Sequence, residues 1–159
     1  MKKLFLLLTI LFLFAACDRL ATQQPLPNVT QNMKNNYTTS LLVGSNKIFA
    51  QIVSTPESMA QGLSGRGRLN DDQGMLFDFG QPQTPAFWMK DMNFDLDFVW
   101  ISNGKIIGIT KDVPAPISGT ADDQLKLYYP PSAINWVLEV NSGWVDEHKI
   151  KTGDEVRRE

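Results

Sequence analysis

One cysteine and one histidine among 159 residues leave this chain short of the side chains that most catalytic and metal chemistry needs. Cys17 has no second cysteine with which to close an internal disulfide, and with His148 it cannot complete a four-ligand zinc site. A cofactor fingerprint is missing too. Gly62 to Arg68 carries three glycines, but no Gly-Lys-Ser/Thr follows and no strand–helix–strand context surrounds it, so the Walker and dinucleotide readings both fail. Neither a metal nor a cofactor is therefore expected. Basic charge is not in excess: 15 Lys+Arg stand against 17 Asp+Glu, a net charge of −2, which argues against nucleic acid as a partner. No apolar run reaches the roughly 20 residues that span a bilayer, and no internal repeat points to a solenoid. What is left is an ordinary globular composition, 43% hydrophobic and 20% charged, with length for one domain.

The first residues carry an address. Met1-Lys2-Lys3 is a basic start, and Leu4 to Phe14 is an apolar run of eleven residues interrupted only by Thr9. Ala15-Ala16-Cys17 follows. Charge, length and small-residue ending are those of a bacterial signal peptide over residues 1–16. Small residues directly before a cysteine resemble a lipobox, in which the thiol of Cys17 is acylated and the chain is cut before it. A diacyl anchor supplies two chains, enough for stable attachment to a membrane. Asp18, directly after the cysteine, resembles the signal that retains lipoproteins on the inner membrane in some Gram-negative bacteria. An Ala-x-Ala-type secretory cut is the alternative, since Phe14 stands where Leu is usual. Residues 17–36, rich in Gln, Asn, Thr and Pro, read as a flexible tether. The globular part is residues 37–159.

Within it, period-two patterns dominate. Thr38 to Val43 and Lys47 to Ser54 flank a Gly44-Ser45-Asn46 turn and predict a first hairpin. Leu96 to Ile101 and Lys105 to Val113 flank Asn103-Gly104, a pair suited to the positive φ angles of a type I′ turn. Gly74–Phe79, Ala86–Lys90, Gln124–Tyr129, Ile134–Asn141 and Glu155–Arg157 predict further strands. Pro56 to Leu63 is the one helical stretch, with Thr55 as its cap. The fold class expected is mainly β: a compact antiparallel β-sandwich or barrel-like domain with one or two short helices. Phe49, Leu76, Phe98, Trp100, Ile107, Trp136 and Leu138 are the expected core.

Three stretches carry a resemblance. Gly62-Leu63-Ser64-Gly65-Arg66 continues to Leu69 and Gly74-Met75-Leu76-Phe77-Asp78-Phe79. Phe87-Trp88-Met89-Lys90-Asp91-Met92-Asn93-Phe94-Asp95-Leu96-Asp97 runs into Trp100-Ile101. Val137-Leu138-Glu139-Val140-Asn141-Ser142-Gly143-Trp144 is followed by Ile150 and Gly153-Asp154. In order, spacing and residue type these resemble the bacterial and archaeal family called domain of unknown function 192, or uncharacterised protein family 0127, over residues 38–157. The resemblance implies a compact β-rich domain, often secreted or membrane-tethered, and assigns no activity.

Arg66 offers a planar fork to a carboxylate or phosphate ligand, or pairs with an internal acid. Trp88 stands in an aromatic and Met run that is either core or a stacking platform for sugar rings. Met89 and Met92 are too few ligands for a soft metal, and the Asp91, Asn93, Asp95, Asp97 alternation fails as a calcium loop because Leu96 and Ser102 occupy its Gly and Glu positions. Asp97 and Glu139 are the most informative acids, since each is embedded in an aliphatic strand where a charge needs a partner. Either they are satisfied by Arg66, Lys90 or backbone N–H groups, or they line a pocket as the carboxylate pair of a glycan-cleaving enzyme does. The sequence therefore predicts that Arg66, Lys90, Asp97 and Glu139 converge beside Trp88. The function expected is a non-catalytic, envelope-tethered domain that binds a polar ligand (glycan, peptide or small molecule) or serves a membrane complex. The alternative is a cell-wall glycan hydrolase or lyase using Asp97 and Glu139.

Overall fold

A computed structural model describes residues 39–159 of the chain. The expected signal peptide, Cys17 and the tether lie outside the described residues. Seven strands form one mixed sheet: β1 (Thr39–Val43), β2 (Asn46–Val53), β3 (Gln73–Gln83), β4 (Leu96–Ser102), β5 (Lys105–Val113), β6 (Ile134–Asn141) and β7 (Val156–Arg158). Their spatial order is β5-β4-β6-β3-β2-β1-β7. The fold is thus mainly β, a curled sheet close to half a barrel. Its two edges meet at one end, where Ile106 N donates to Asp154 O at 2.9 Å and Val156 N to Gly104 O at 2.8 Å.

Every strand pair is antiparallel except β2–β3, which is parallel. Parallel neighbours cannot be joined by a tight turn and need a crossover of a dozen or more residues. Here the crossover is helix α1 (Pro56–Gln61) and the loop after it. Thr55 caps α1 through a reciprocal pair of bonds with Ser58, Pro56 occupies the first turn, and Gly62 ends it at φ 47°. A second helix, α2 (Trp144–Glu147), follows β6. Asn103 (φ 49°) and Gly104 (φ 72°) make the two-residue turn between β4 and β5, as their residue types require.

The centre of the sheet is covered on both faces. Its inner face packs Leu41, Ile48, Leu76, Val99, Leu138 and Val140 against Trp144, Val145 and Ile150. Its outer face packs Met75, Phe77, Phe98, Trp100 and Val137 against Leu63, Leu69, Phe87 and Met92 of the crossing loops. Central strands covered on both sides read as continuous apolar runs, and β4 is buried from Leu96 through Ile101.

The expected core holds at Leu76, Phe98, Trp100 and Leu138, holds in part at Ile107 and Trp136, which pack against it at its margins, and fails at Phe49. Phe49 is 39% exposed, because β2 turns Ile48 and Ala50 inward and leaves Phe49 on the outer face beside Lys47. Ile107 is half-buried and Ile106 takes the inner position, β5 being an edge strand with a bulge in its pairing to β4. Trp136 is half-buried under the guanidinium of Arg158, with its indole N–H donating to Asp78 Oδ1 at 3.0 Å. The strands expected at Ala86–Lys90 and Gln124–Tyr129 reduce to one bridge, Phe87 to Tyr128. Pro85 and Pro130 flank them, and a proline donates no ladder hydrogen bond.

Trp100 is 1% exposed and sits edge-on to Phe87 and Phe98. Trp100→Ala is expected to cost about 3–5 kcal/mol in chemical denaturation; a loss under about 1 kcal/mol would mean that the outer-face core does not hold the sheet.

Candidate functional site

Glu139 sits near the middle of β6, which runs between β3 and β4. Its register partners are Met75 on one side and Phe98 on the other. Alternation puts its side chain on the outer face with Val137, among the aromatic residues of that core. It is 5% exposed, and among the described residues its carboxyl has neither a hydrogen-bond donor nor a cation. Burial without compensation pushes its pKa up to about 8. Near neutral pH the group therefore keeps its proton, which is how a partnerless carboxyl avoids the cost of a buried charge.

Over Glu139 lies a cavity of about 310 Å³. Two loops form its roof. One is Gly62-Leu63-Ser64, the end of the crossover that the parallel β2–β3 pair demands. The other is Pro85 to Met92. They are stitched together by Ser64 Oγ donating to Lys90 O at 2.8 Å and Gly65 N to Asp91 O at 2.8 Å. Phe77, Phe79 and Phe87 wall the cavity, and Glu139 and Leu96 line it as well. Trp88, 45% exposed, stands at the rim with the Lys90 ammonium 5.6 Å from its ring centroid. Lys90 is also ion-paired to Asp122. Gly62 is the close-approach point: a Cβ there would come within 3.3 Å of Phe77.

Of the residues expected to converge, the structure brings together Glu139, Lys90 and Trp88. Asp97 is elsewhere. Its register partner is Val140 while Phe98 pairs with Glu139, so the two acids point to opposite faces of the sheet. Asp97 is buried and fully engaged: Oδ1 accepts from Asp112 N at 2.9 Å, and Oδ2 from Gly143 N and Val145 N, both at 3.1 Å. Burial raises its pKa, against the lowering effect of these N–H donors. It fastens the start of α2 and the β5 bulge. The carboxylate pair that a glycan-cleaving mechanism requires is therefore not formed, a correction that follows from register. Arg66 does not line the cavity either. Its Nη1 donates to Gln51 Oε1 at 2.7 Å, and its carbonyl accepts from Asn93 Nδ2 at 3.0 Å. In the Phe87-Trp88-Met89 run, Phe87 and Met89 are core and only Trp88 faces out. No three His, Cys, Asp or Glu side chains gather as metal ligands among the described residues. Nor, among those residues, is any helix long and apolar enough to cross a membrane.

Sequence reasoning missed Ser64, Phe77, Phe79 and the crossover as parts of this site. Only the Gly62-Leu63-Ser64 run hinted at a close loop, and nothing in one sequence places it over β6.

Residues 39–158 match the family DUF192, described as Uncharacterized ACR. Among solved structures, a candidate transcription regulator from Sinorhizobium meliloti 1021 is similar at 25% identity and a TM-score of 0.67, covering 77% of this chain and 95% of that one. A protein of unknown function from Novosphingobium aromaticivorans DSM 12444 has the same fold at 23% identity and a TM-score of 0.66, covering 74% of this chain and 83% of its own. No curated protein matches the chain.

The two acids predict opposite behaviour. Asp97→Ala strands three backbone N–H groups and is expected to cost about 3–5 kcal/mol at neutral pH. Glu139 has a folded pKa near 8 against an unfolded value of 4.5. The unfolded chain therefore loses this proton first, and stability falls as pH rises from 4.5 to about 8. Glu139→Gln is expected to flatten that fall and to be more stable than the parent by several kcal/mol, on the order of 4–5, at about pH 9. Urea titrations across pH check both. A Glu139→Gln protein that is destabilised at high pH would mean the carboxylate has a cationic partner.

Proposed function

The chain belongs to the DUF192 family, and we propose that it is a non-catalytic binding module of the bacterial envelope. On this reading it is held to the membrane by a lipid on Cys17, and its cavity over Glu139 takes a small ligand with an apolar body and a polar head. The single observation that carries the binding reading is a carboxyl, 5% exposed and partnerless among the described residues, at the base of a roofed aromatic cavity. A structural site would have given that carboxyl the backbone donors that Asp97 has. At about 310 Å³ the cavity falls at the small end of ligand pockets, which fits a small molecule or one protruding side chain better than an oligosaccharide.

Catalysis finds less support. Glu139 has no second carboxylate and no histidine among the cavity's lining residues, the Ser64 hydroxyl is committed to the Lys90 carbonyl, and the Lys90 ammonium is paired with Asp122. The regulator description belongs to the S. meliloti protein. In this chain the net charge is −2, and among the described residues the two α-helices have six and four residues, which supply neither the basic surface nor the helix pair that reads a major groove. The envelope address rests on the signal-like residues 1–16 and the Ala-Ala-Cys ending.

Two experiments test the two halves. The mature protein is expected in the membrane fraction with a diacylglyceryl group on Cys17, and Cys17→Ala is expected to abolish that modification; an unmodified Cys17 thiol in the mature protein would contradict the anchor. A fragment screen over amines, alcohols, amides and carboxylates, read by NMR shift mapping, is expected to give hits that move the Trp88 indole and Met92 methyl signals. Trp88→Ala should weaken those hits by about tenfold, the loss of one aromatic contact. Hits that ignore both the substitution and those signals would place binding elsewhere.

A further inference from the structure

The cavity also constrains the charge of what enters it. Two features of its lining act together. At its base is an acid with no cation to balance it among the described residues, and around it are the rings of Phe77, Phe79, Phe87 and Trp88. Aromatic faces carry negative quadrupole density and attract a cation, and more strongly in a desolvated site. A carboxylate among them adds the counter-charge and, once ionised, accepts hydrogen bonds only.

The other groups that face Glu139 are neutral with one exception. From β3 these are Met75 and Phe77, from β4 Leu96 and Phe98, from the crossover loop Leu63 and Ser64, and from the second loop Phe87 and Met92. Lys90 is the sole charged side chain besides Glu139 in the lining. Its ammonium is already engaged at the rim by Asp122 and by the ring of Trp88. Asp97 faces the opposite side of the sheet. No charge on the described surface of the cavity therefore competes for the base of the site.

We infer that the head group taken by this cavity is an organic cation, a primary ammonium or a guanidinium, carried on an apolar or aromatic tail and seated against the Glu139 carboxylate. This inference rests on the pocket reading above and deepens it. Protons balance as follows: Glu139 enters as the neutral acid, the ligand enters as the cation, the complex holds carboxylate against cation, and one proton is released to solvent. With the acid titrating near 8, the binding-competent ionised fraction grows as pH rises. Apparent affinity scales with that fraction. Going from about pH 6 to about pH 8 it should rise by roughly 50-fold and then level off.

A matched trio tests this on the full-length protein: phenethylamine, phenethyl alcohol and hydrocinnamate, which differ in the charge of the head. By calorimetry and NMR shift mapping, the amine is expected to bind at least about tenfold tighter than the alcohol at about pH 8. It should also show the pH profile above and release close to one proton at about pH 6 and about half a proton at about pH 8, read from the heats in two buffers of different ionisation enthalpy. Glu139→Gln should remove the preference for the amine, the pH profile and the proton release while the alcohol still binds. Should that variant not fold, the profile and proton release of the unsubstituted protein decide alone. If the alcohol or hydrocinnamate binds as tightly as the amine, or if affinity rises toward low pH, the cation inference is overturned and the pocket reading stands. If none of the three moves the Trp88 or Met92 signals at millimolar concentration, both fall.

Discussion

A carboxyl withdrawn from water must either be given hydrogen-bond donors or keep its proton, and this sheet contains one example of each. β4 and β6 lie side by side at the centre, covered on both faces, and each carries one acid. Asp97 reaches the inner face and is met by three backbone N–H groups, so it ties the turn after β6 and the bulge of β5 to the strand between them. Glu139 reaches the outer face and meets aromatic rings and thioethers. With no donor at hand among the described residues, its pKa rises to about 8. The same residue chemistry, one strand apart, thus gives a fastening on one face and, on the other, a protonated acid without a partner among the described residues.

Topology creates the second situation. A chain made only of hairpins would leave the outer face of β6 to short turns. The one parallel pair, β2 with β3, forces the chain to travel back across that face, and the returning loop supplies Leu63 and Ser64 as part of a roof. The loop before β4 supplies the remainder, pinned to the first by Ser64 and Gly65. The roof does not close down on Glu139, and about 310 Å³ is left between them. An acid that titrates near neutrality beneath such a cavity is the arrangement expected where a ligand, not the protein, completes the local electrostatics.

Much of this was legible before any coordinates. Asn103-Gly104 announced its turn because only a few residue types accept two consecutive positive φ angles, and the aliphatic runs of β4 and β6 announced buried strands. Glu139 and Asp97 stood out as charges inside such runs. What a single sequence does not carry is register. Whether two acids on neighbouring strands share a face depends on a one-residue offset in pairing, and here Asp97 falls opposite Val140 and not opposite Glu139. The same gap explains Arg66. Its type suggested a place beside the acids, yet its position in the crossover takes it to Gln51 on β2, away from the cavity. Phe49 misleads for a related reason: an aromatic residue in a strand belongs to the core only on a face that something covers.

The central claim is that Glu139 is a buried acid left protonated near neutral pH because the protein supplies it with no partner. The direct measurement is a carbon-detected NMR titration of the Glu139 side-chain carboxyl in the ligand-free protein. The account predicts a midpoint near 8, with the carboxyl neutral at pH 7. A midpoint at the ordinary glutamate value of 4.5 would contradict it, since the carboxylate would then already be compensated and the cavity would have no charge left to offer.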